Sequence, residues 1–264
     1  MRKIFIDGGA NNGCSTNKFI KEFKGANEYE VYMFEANPQG CTRCIEKIIK
    51  KYLNNNITYI PKAIWTHDMG VNIHKFGAPN TCHGSNTIYD KQSSITQQRK
   101  LHKSIILSKF KPTKYIHSTI QPIFNTIESV CLSRWIKSNF SKDDYIILKL
   151  DIEGAEYNVI EDLYKTDVLS YINELHGELH GMKRGFNIND DLKLLERLKK
   201  YNLKLFYWDA LNSKSKIKKK IYTTYNIEEN YKSYENKKVF HTKPDWDILK
   251  QYRNNYKEWY NENM

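Results

Sequence analysis

The run Phe5-Ile6-Asp7-Gly8-Gly9-Ala10-Asn11-Asn12-Gly13 constrains this chain more than any other stretch. Lys3 to Ile6 is apolar and β-branched enough to be a buried strand, and it stops on an acid followed at once by glycines. From Ser15 the pattern turns helical, with Phe19, Ile20 and Phe23 on one face. A strand, a glycine turn and a helix open an α/β sheet, and glycine lets a ligand approach the backbone without meeting a Cβ. Asp7 would repel a phosphate and suits a cationic or hydroxyl-rich ligand better. The alternative is an ordinary β-turn-α link.

The rhythm then repeats. Glu30 to Phe34 reads as a second strand ending in Glu35-Ala36-Asn37-Pro38, and Pro38 opens a helix to about Leu53, where a missing N–H costs nothing. Ile57 to Ile60 is a third strand, continued by Ala63-Ile64-Trp65, with a hairpin turn at His67 to Gly70 leading into Val71 to Phe76. Further on, Thr126 to Asn139 reads as helix, Tyr145 to Leu150 as a buried strand, and Gly154 to Tyr164 as helix. Tyr171 to His180 is the next strand, Asp190 to Tyr201 a helix and Leu203 to Trp208 a strand. Such alternation implies a parallel sheet with right-handed crossovers. Residues 77–115 break the rhythm with small polar clusters and a basic stretch, and long loops in a compact domain tend to be functional.

In an open α/β sheet, ligands bind beyond the carboxyl ends of the strands. Asp7, Glu35, Asp151 and His180 all stand at such ends. Glu35 can accept bonds from both ribose hydroxyls, although its gap from Asp7 exceeds the roughly 20 residues of a dinucleotide fingerprint. Asp151 is a site acid or a helix N-cap, and Glu153 and Glu156 fall in the first helical turn, where acids are favoured. Alternation places Glu174, His176, Glu178 and His180 on one strand face, costly to bury unless paired or wet. His180 is the best base among them, since its ordinary pKa is near 6.5. Asp151, Glu178 and His180 could hold a divalent ion, but their spacing specifies neither ligand count nor geometry, so the expectation is turnover without a metal.

Four blocks resemble the FkbM-type S-adenosylmethionine-dependent O-methyltransferases: Phe5 to Gly13, Phe34-Glu35-Ala36-Asn37-Pro38, Lys149-Leu150-Asp151-Ile152-Glu153-Gly154-Ala155-Glu156 and Glu178-Leu179-His180-Gly181. They come in the family's order over roughly residues 3–210. The family often has Pro where Ala36 stands, and a helix usually precedes its first strand. The resemblance implies a Rossmann-like class I methyltransferase fold, with a mostly parallel seven-stranded sheet flanked by helices. It would span residues 1–240 with an insertion at about 77–115, and residues 241–264 would form a C-terminal extension packed on it. It implies S-adenosylmethionine held by Asp7, Gly8, Gly9, Ala10, Asn11, Gly13, Glu35, Ala36, Asn37, Ala63, Ile64 and Asp151. Asp151, His180 and Glu178 would serve catalysis. His83, Ser85, Asn86, Asp90 and Glu153 would meet the acceptor, a sugar or another small hydroxylated molecule.

Charge weighs on the partner. The net charge of +12 favours anionic partners such as RNA, nucleotide-activated sugars or headgroups. The lysines are dispersed, however, and the abundance of Lys, Asn, Ile and Tyr is what an AT-rich genome encodes, such as that of a large DNA virus or a protist. An RNA ribose methyltransferase is the rival enzyme, but it usually carries a Lys-Asp-Lys-Glu set, foreign to the context of Asp151. A cofactor-binding partner module without catalysis is the non-enzymatic rival. No apolar run approaches the ~20 residues of a membrane span, and no signal peptide is visible. With an odd count of five cysteines, this predicts free thiols in the cytoplasm. Cys41 and Cys44 form a C-x-x-C on a predicted helix without the second pair that zinc would need.

Overall fold

The computed structural model describes residues 1–77, 84–87, 124–180 and 188–208. Six parallel strands form its main sheet. They are β1 (Lys3–Gly8), β2 (Tyr29–Phe34), β3 (Asn56–Ile60), β9 (Tyr145–Leu150), β10 (Ile172–Gly177) and β11 (Leu205–Tyr207), in the order β11-β10-β9-β1-β2-β3. The chain steps outward from β1 through β2 to β3, then returns to the opposite side of β1 with β9. That reversal makes the gap between β1 and β9 the topological switch point, where the carboxyl ends leave a crevice.

Both faces of this sheet are covered, as a parallel sheet requires. Ile4 and Ile6 of β1 and Ile146, Leu148 and Leu150 of β9 point into one core. There they meet α3 (Leu132–Asn139), α4 (Glu156–Lys165) and α5 (Ile188–Lys199) through Ile136, Ile160, Leu163, Leu194 and Leu198. Phe5, Val31, Met33 and Ile147 point the other way, onto α1 (Cys14–Glu22) and α2 (Pro38–Lys51) through Phe19, Cys41 and Ile45. Phe5 and Phe19 stack with centroids 3.9 Å apart. Pro38 occupies the first turn of α2, and Asn37 caps it by accepting the Gly40 N–H at 3.2 Å.

Several elements differ from the sequence reading. Of the seven strands expected in the sheet, six lie among the described residues. Ala63–Trp65 does not continue β3. It forms a separate β4 that pairs in parallel with β8 (Ser129–Cys131). Pro61 lacks an N–H to extend the ladder, and the Lys62 N–H turns back to the Ile60 carbonyl. Nor does β4 form a hairpin with β5 (Val71–Gly77), which pairs antiparallel with β6 (Gly84–Thr87) and β7 (Phe124–Ile127). Thr126–Ile127 and Ser129–Cys131 are therefore strand, and the helix expected from Thr126 begins at Leu132. β-Branched Thr126, Ile127 and Val130 suit the ladder they join. Gly84 to Thr87, read as loop, is strand.

Asp190–Tyr201 shifts to Ile188–Lys199 and Leu203–Trp208 shortens to β11, changes confined to fraying ends. The rest of the 77–115 insertion and the C-terminal extension lie outside the described residues. Cys14, Cys41, Cys44 and Cys131 are free thiols. No helix among the described residues is long and apolar enough to cross a membrane.

Candidate active site

The glycine turn after β1 is pinned from three sides. Gly9 and Ala10 donate their N–H groups to the Phe34 carbonyl at 3.1 and 2.9 Å, and the Asp151 N–H donates to the Gly8 carbonyl at 3.0 Å. Gly9 has a φ of 78°, and a Cβ there would lie 2.0 Å from the Asp151 carbonyl oxygen. Gly13, at φ 81°, starts α1 against Ile48, which a Cβ would meet at 2.7 Å. Both positions thus require glycine. Ile64 packs its Cδ1 against Gly8, and Ala63 beside it on β4 is buried.

Beneath the turn lies a buried ion pair. Lys149, inside β9, is 0% exposed and stands 3.0 Å from the Asp7 Oδ1. Its ammonium also donates to the Gly8 and Gly9 carbonyls at 3.1 and 2.9 Å. Burial works against the charged lysine, but Asp7 and Asp151 more than offset it and hold the ammonium above its usual range. The other Asp7 oxygen accepts the Thr16 hydroxyl at 2.7 Å. The ammonium that Asp7 meets here is therefore the protein's own, and its carboxylate presents no surface to solvent. Lys149 was in view in the sequence as a cation within an apolar strand, a placement that calls for a buried partner.

Glu35 stands just past β2, 6% exposed. Its Oε2 accepts the Asn11 N–H and its Oε1 the Asn37 N–H, both at 2.7 Å. Burial raises its carboxyl above the usual range against the pull of those two donors. Each oxygen keeps a lone pair for a further donor. Asp7, Gly8, Gly9, Ala10, Asn11, Gly13, Glu35, Ala36, Asn37 and Ile64 thus gather round the carboxyl ends of β1 and β2. Cys41 reaches the same loop, its thiol 3.8 Å from the Asn11 Oδ1.

A second group assembles across the switch point. Asp151 follows β9, and the chain then turns through left-handed Glu153 (φ 56°) and Gly154 (φ 104°). The helix begins at Glu156, so Glu153 lies outside it, and the residue capping it is Ala155 and not Asp151. Glu156 closes this turn: its Oε1 accepts the Ile152 N–H at 2.8 Å and its Oε2 the Gly154 N–H at 2.7 Å. The same Oε1 lies 3.0 Å from the His180 Nδ1. On the other side of the ring, Nε2 stands 3.7 Å from the Asp151 Oδ1 and 3.7 Å from the Glu178 Oε2. Sequence reasoning gave Glu156 only a helix-end role. Its glutamate side chain, four residues past Ile152, also orients the imidazole.

Charge in this group departs from ordinary values. Asp151 keeps 29% of its side-chain surface yet sits deep among protein atoms. Burial, reinforced by Glu178 and Glu153 and opposed by Lys149 and His180, pushes its carboxyl up to about 6. Burial disfavours the His180 imidazolium, but Glu153, Glu156 and Glu178 overcome it and raise its pKa to about 10. At neutral pH His180 therefore carries a proton as the site stands, and Asp151 is the better acceptor of one. The four polar residues expected on one face of β10 divide. His176 bonds Glu174 at 3.0 Å and faces Phe206 and Trp208, while Glu178 and His180, past the end of the strand, reach Asp151.

Ser85 and Asn86 lie on β6, while His83 and Asp90 fall outside the described residues. A cavity of about 630 Å³ beside α3, lined by Lys62, Asp68, Arg134 and Trp135 among others, includes none of Asp7, Glu35, Asp151 or His180.

No curated protein and no solved structure matches this chain. The family model of the methyltransferase FkbM domain matches residues 7–204, a span that runs from the acid at the end of β1 to the threshold of β11. With the parallel sheet, the glycine turn and the acids at its switch point in that span, the chain belongs to the FkbM methyltransferase family.

Proposed function

We propose that this protein transfers a methyl group from S-adenosylmethionine to a hydroxyl of a small acceptor, a sugar or glycan. The observation that carries the reading is the meeting of two groups at one switch point. Gly9 of the turn abuts the Asp151 backbone so closely that no Cβ fits between them. A ligand lying on the turn would therefore have the Asp151, Glu178 and His180 cluster as its neighbour.

The residues present fit the cofactor. Glu35 retains lone pairs for the ribose hydroxyls beside the Asn11 and Asn37 amides. Asp7 and Lys149 act from below by holding the turn in shape. When bound, S-adenosylmethionine supplies a methyl group already activated on a sulfonium. The protein's own work is then to align the acceptor oxygen and take its proton. Asp151 is suited to receive that proton, Glu178 to hold a neighbouring hydroxyl, and His180 to fix both carboxylates from within. Glu153, on its left-handed turn, extends the acidic surface on the acceptor side. Ser85, Asn86, His83 and Asp90 complete the proposed acceptor contacts.

A hydroxyl-rich acceptor suits this surface better than RNA. Among the described residues, the acids Asp151, Glu153 and Glu178 stand at the mouth, and carboxylates there suit hydroxyl donors better than a phosphate backbone. The deciding experiment offers labelled S-adenosylmethionine with a panel of glycans, nucleotide-sugars and RNA. Label on a sugar hydroxyl supports the proposal. Label confined to RNA, with salt-sensitive binding, would replace it by the ribose reading, and cofactor binding without label on any acceptor by the partner module.

A further inference from the structure

We propose that Asp151, Glu178 and His180 form a site for one divalent first-row cation, manganese or zinc in character. One ligating atom from each of the three residues lies within 4.8 Å of the others. The sequence spacing lacked a ligand count and a geometry, and the fold supplies both.

The imidazole carries the argument. His180 is 2% exposed, and among the described residues its Nε2 has no hydrogen-bond partner. It points between two carboxylate oxygens at 3.7 Å each, beyond hydrogen-bond reach. Carboxylates brought together repel one another. A divalent ion held by both of them and by the neutral imidazole would relieve that repulsion more fully than the protonated ring does. Two ligand atoms about 2.1 Å from one ion stand roughly 3.0–3.5 Å apart for angles between 90° and 109°, so the two His180–carboxylate gaps of 3.7 Å need to close by only a few tenths of an ångström, and the carboxylates, within 4.8 Å of one another, would draw in further on binding. His180 also has the outer partner that metal-bound histidines have: Glu156 holds the Nδ1 at 3.0 Å and sets the ring so that Nε2 faces the cluster.

The donor set indicates the class of ion. Imidazole favours zinc and its neighbours, carboxylates favour manganese and magnesium, and a mixed set with few ligands leaves magnesium, with its strict octahedron, least suited. Three protein ligands leave positions open, as in catalytic sites. Asp151 and Glu178 retain 29% and 26% of their side-chain surface, so those positions face the approach from solvent. An acceptor with adjacent hydroxyls could occupy them.

The test is binding of manganese alone, with neither methyl donor nor acceptor present, so its failure would leave the methyl-transfer reading standing. The full chain, stripped with a chelator, is titrated with manganese chloride, and the free-ion signal is followed by electron paramagnetic resonance. The expected result is one bound ion per chain with micromolar affinity. Glu178→Gln and His180→Gln should each weaken it by tenfold or more, with near-ultraviolet circular dichroism unchanged. Glu161→Gln, on α4 and paired with Arg197 rather than with the cluster, should bind as the wild type does. Glu156→Gln should fall between them, at about 10-fold loss, since outer partners typically matter 10–100-fold. Binding absent up to millimolar manganese, or equal in all variants, would overturn the proposal. Should both glutamine variants unfold, loss of the manganese-induced rise in melting temperature in Glu178→Asp would decide instead. An unchanged rise would count against the site.

Discussion

Replacing Lys149 with methionine tests the architecture beneath the glycine turn. The ammonium and the Asp7 carboxylate are both 0% exposed and 3.0 Å apart, and the same nitrogen serves the Gly8 and Gly9 carbonyls. Methionine keeps much of the volume but removes the charge and all three interactions. Among the described residues, Asp7 would then be a buried carboxylate with the Thr16 hydroxyl as its one remaining side-chain partner. Removing one member of a buried pair costs about 3–5 kcal/mol, mostly through the charge left behind. Domains have about 5–15 kcal/mol in all, so the variant should lose about a fifth of its stability or more. At about 2–4 °C per kcal/mol, the melting temperature should fall by roughly 6–20 °C. Urea unfolding of the full chain, followed by circular dichroism, measures the loss directly. The double variant Lys149→Met/Asp7→Asn removes both charges. It should be more stable than the sum of the single losses by about 2 kcal/mol or more, since contacting residues couple by 0.5–3 kcal/mol. A single-variant loss below about 1 kcal/mol, or strict additivity in the cycle, would refute the claim that this pair holds the turn.

Other expectations concern the same crevice. Glu35→Ala should weaken S-adenosylmethionine about 10–100-fold in calorimetry, the worth of a charge-assisted contact at roughly 1.5–3 kcal/mol; equal affinity removes Glu35 from the site. Gly9→Ala should destabilise by about 2–5 kcal/mol, because its Cβ would overlap the Asp151 carbonyl at a φ of 78°. A thermal melt matching the wild type would mean that the turn and β9 are less tightly apposed than described. Asp151→Asn should preserve cofactor affinity and lower the transfer rate about 10²–10⁴-fold, and near-native turnover would place the base elsewhere.

Much of the framework was legible in the residues. Lys3 to Ile6 and Tyr145 to Leu150 are largely apolar runs too short for helices, and each is followed by an acid and then glycine, so strand and strand end could be read locally. Pro38 announced the start of α2. Where local signals conflicted, the reading failed. Ile127, Val130, Cys131, Trp135 and Ile136 fit helical spacing, yet the first three belong to β7 and β8, because partners on β5 and β4 claim their backbone groups. Those partners lie more than fifty residues upstream, and no window of sequence holds both halves of such a ladder. Glu153 seemed to belong to a helix whose first turn, in the fold, begins three residues later.

The sequence by itself determined the parallel sheet, the glycine turn and which residues stand at strand ends. These follow from local periodicity, from the conformational range of glycine and from where apolar runs stop. Only the tertiary structure decided what those residues meet. Asp7 faces inward to Lys149, Glu156 reaches back to His180, and Glu174 and His176 turn to the core while Glu178 and His180 turn to Asp151. The reason is that strand order places β9 directly beside β1, although they are separated by more than a hundred residues. Charge pairing, burial and titration depend on distances across that gap, and distance between strands is a property of the assembled sheet.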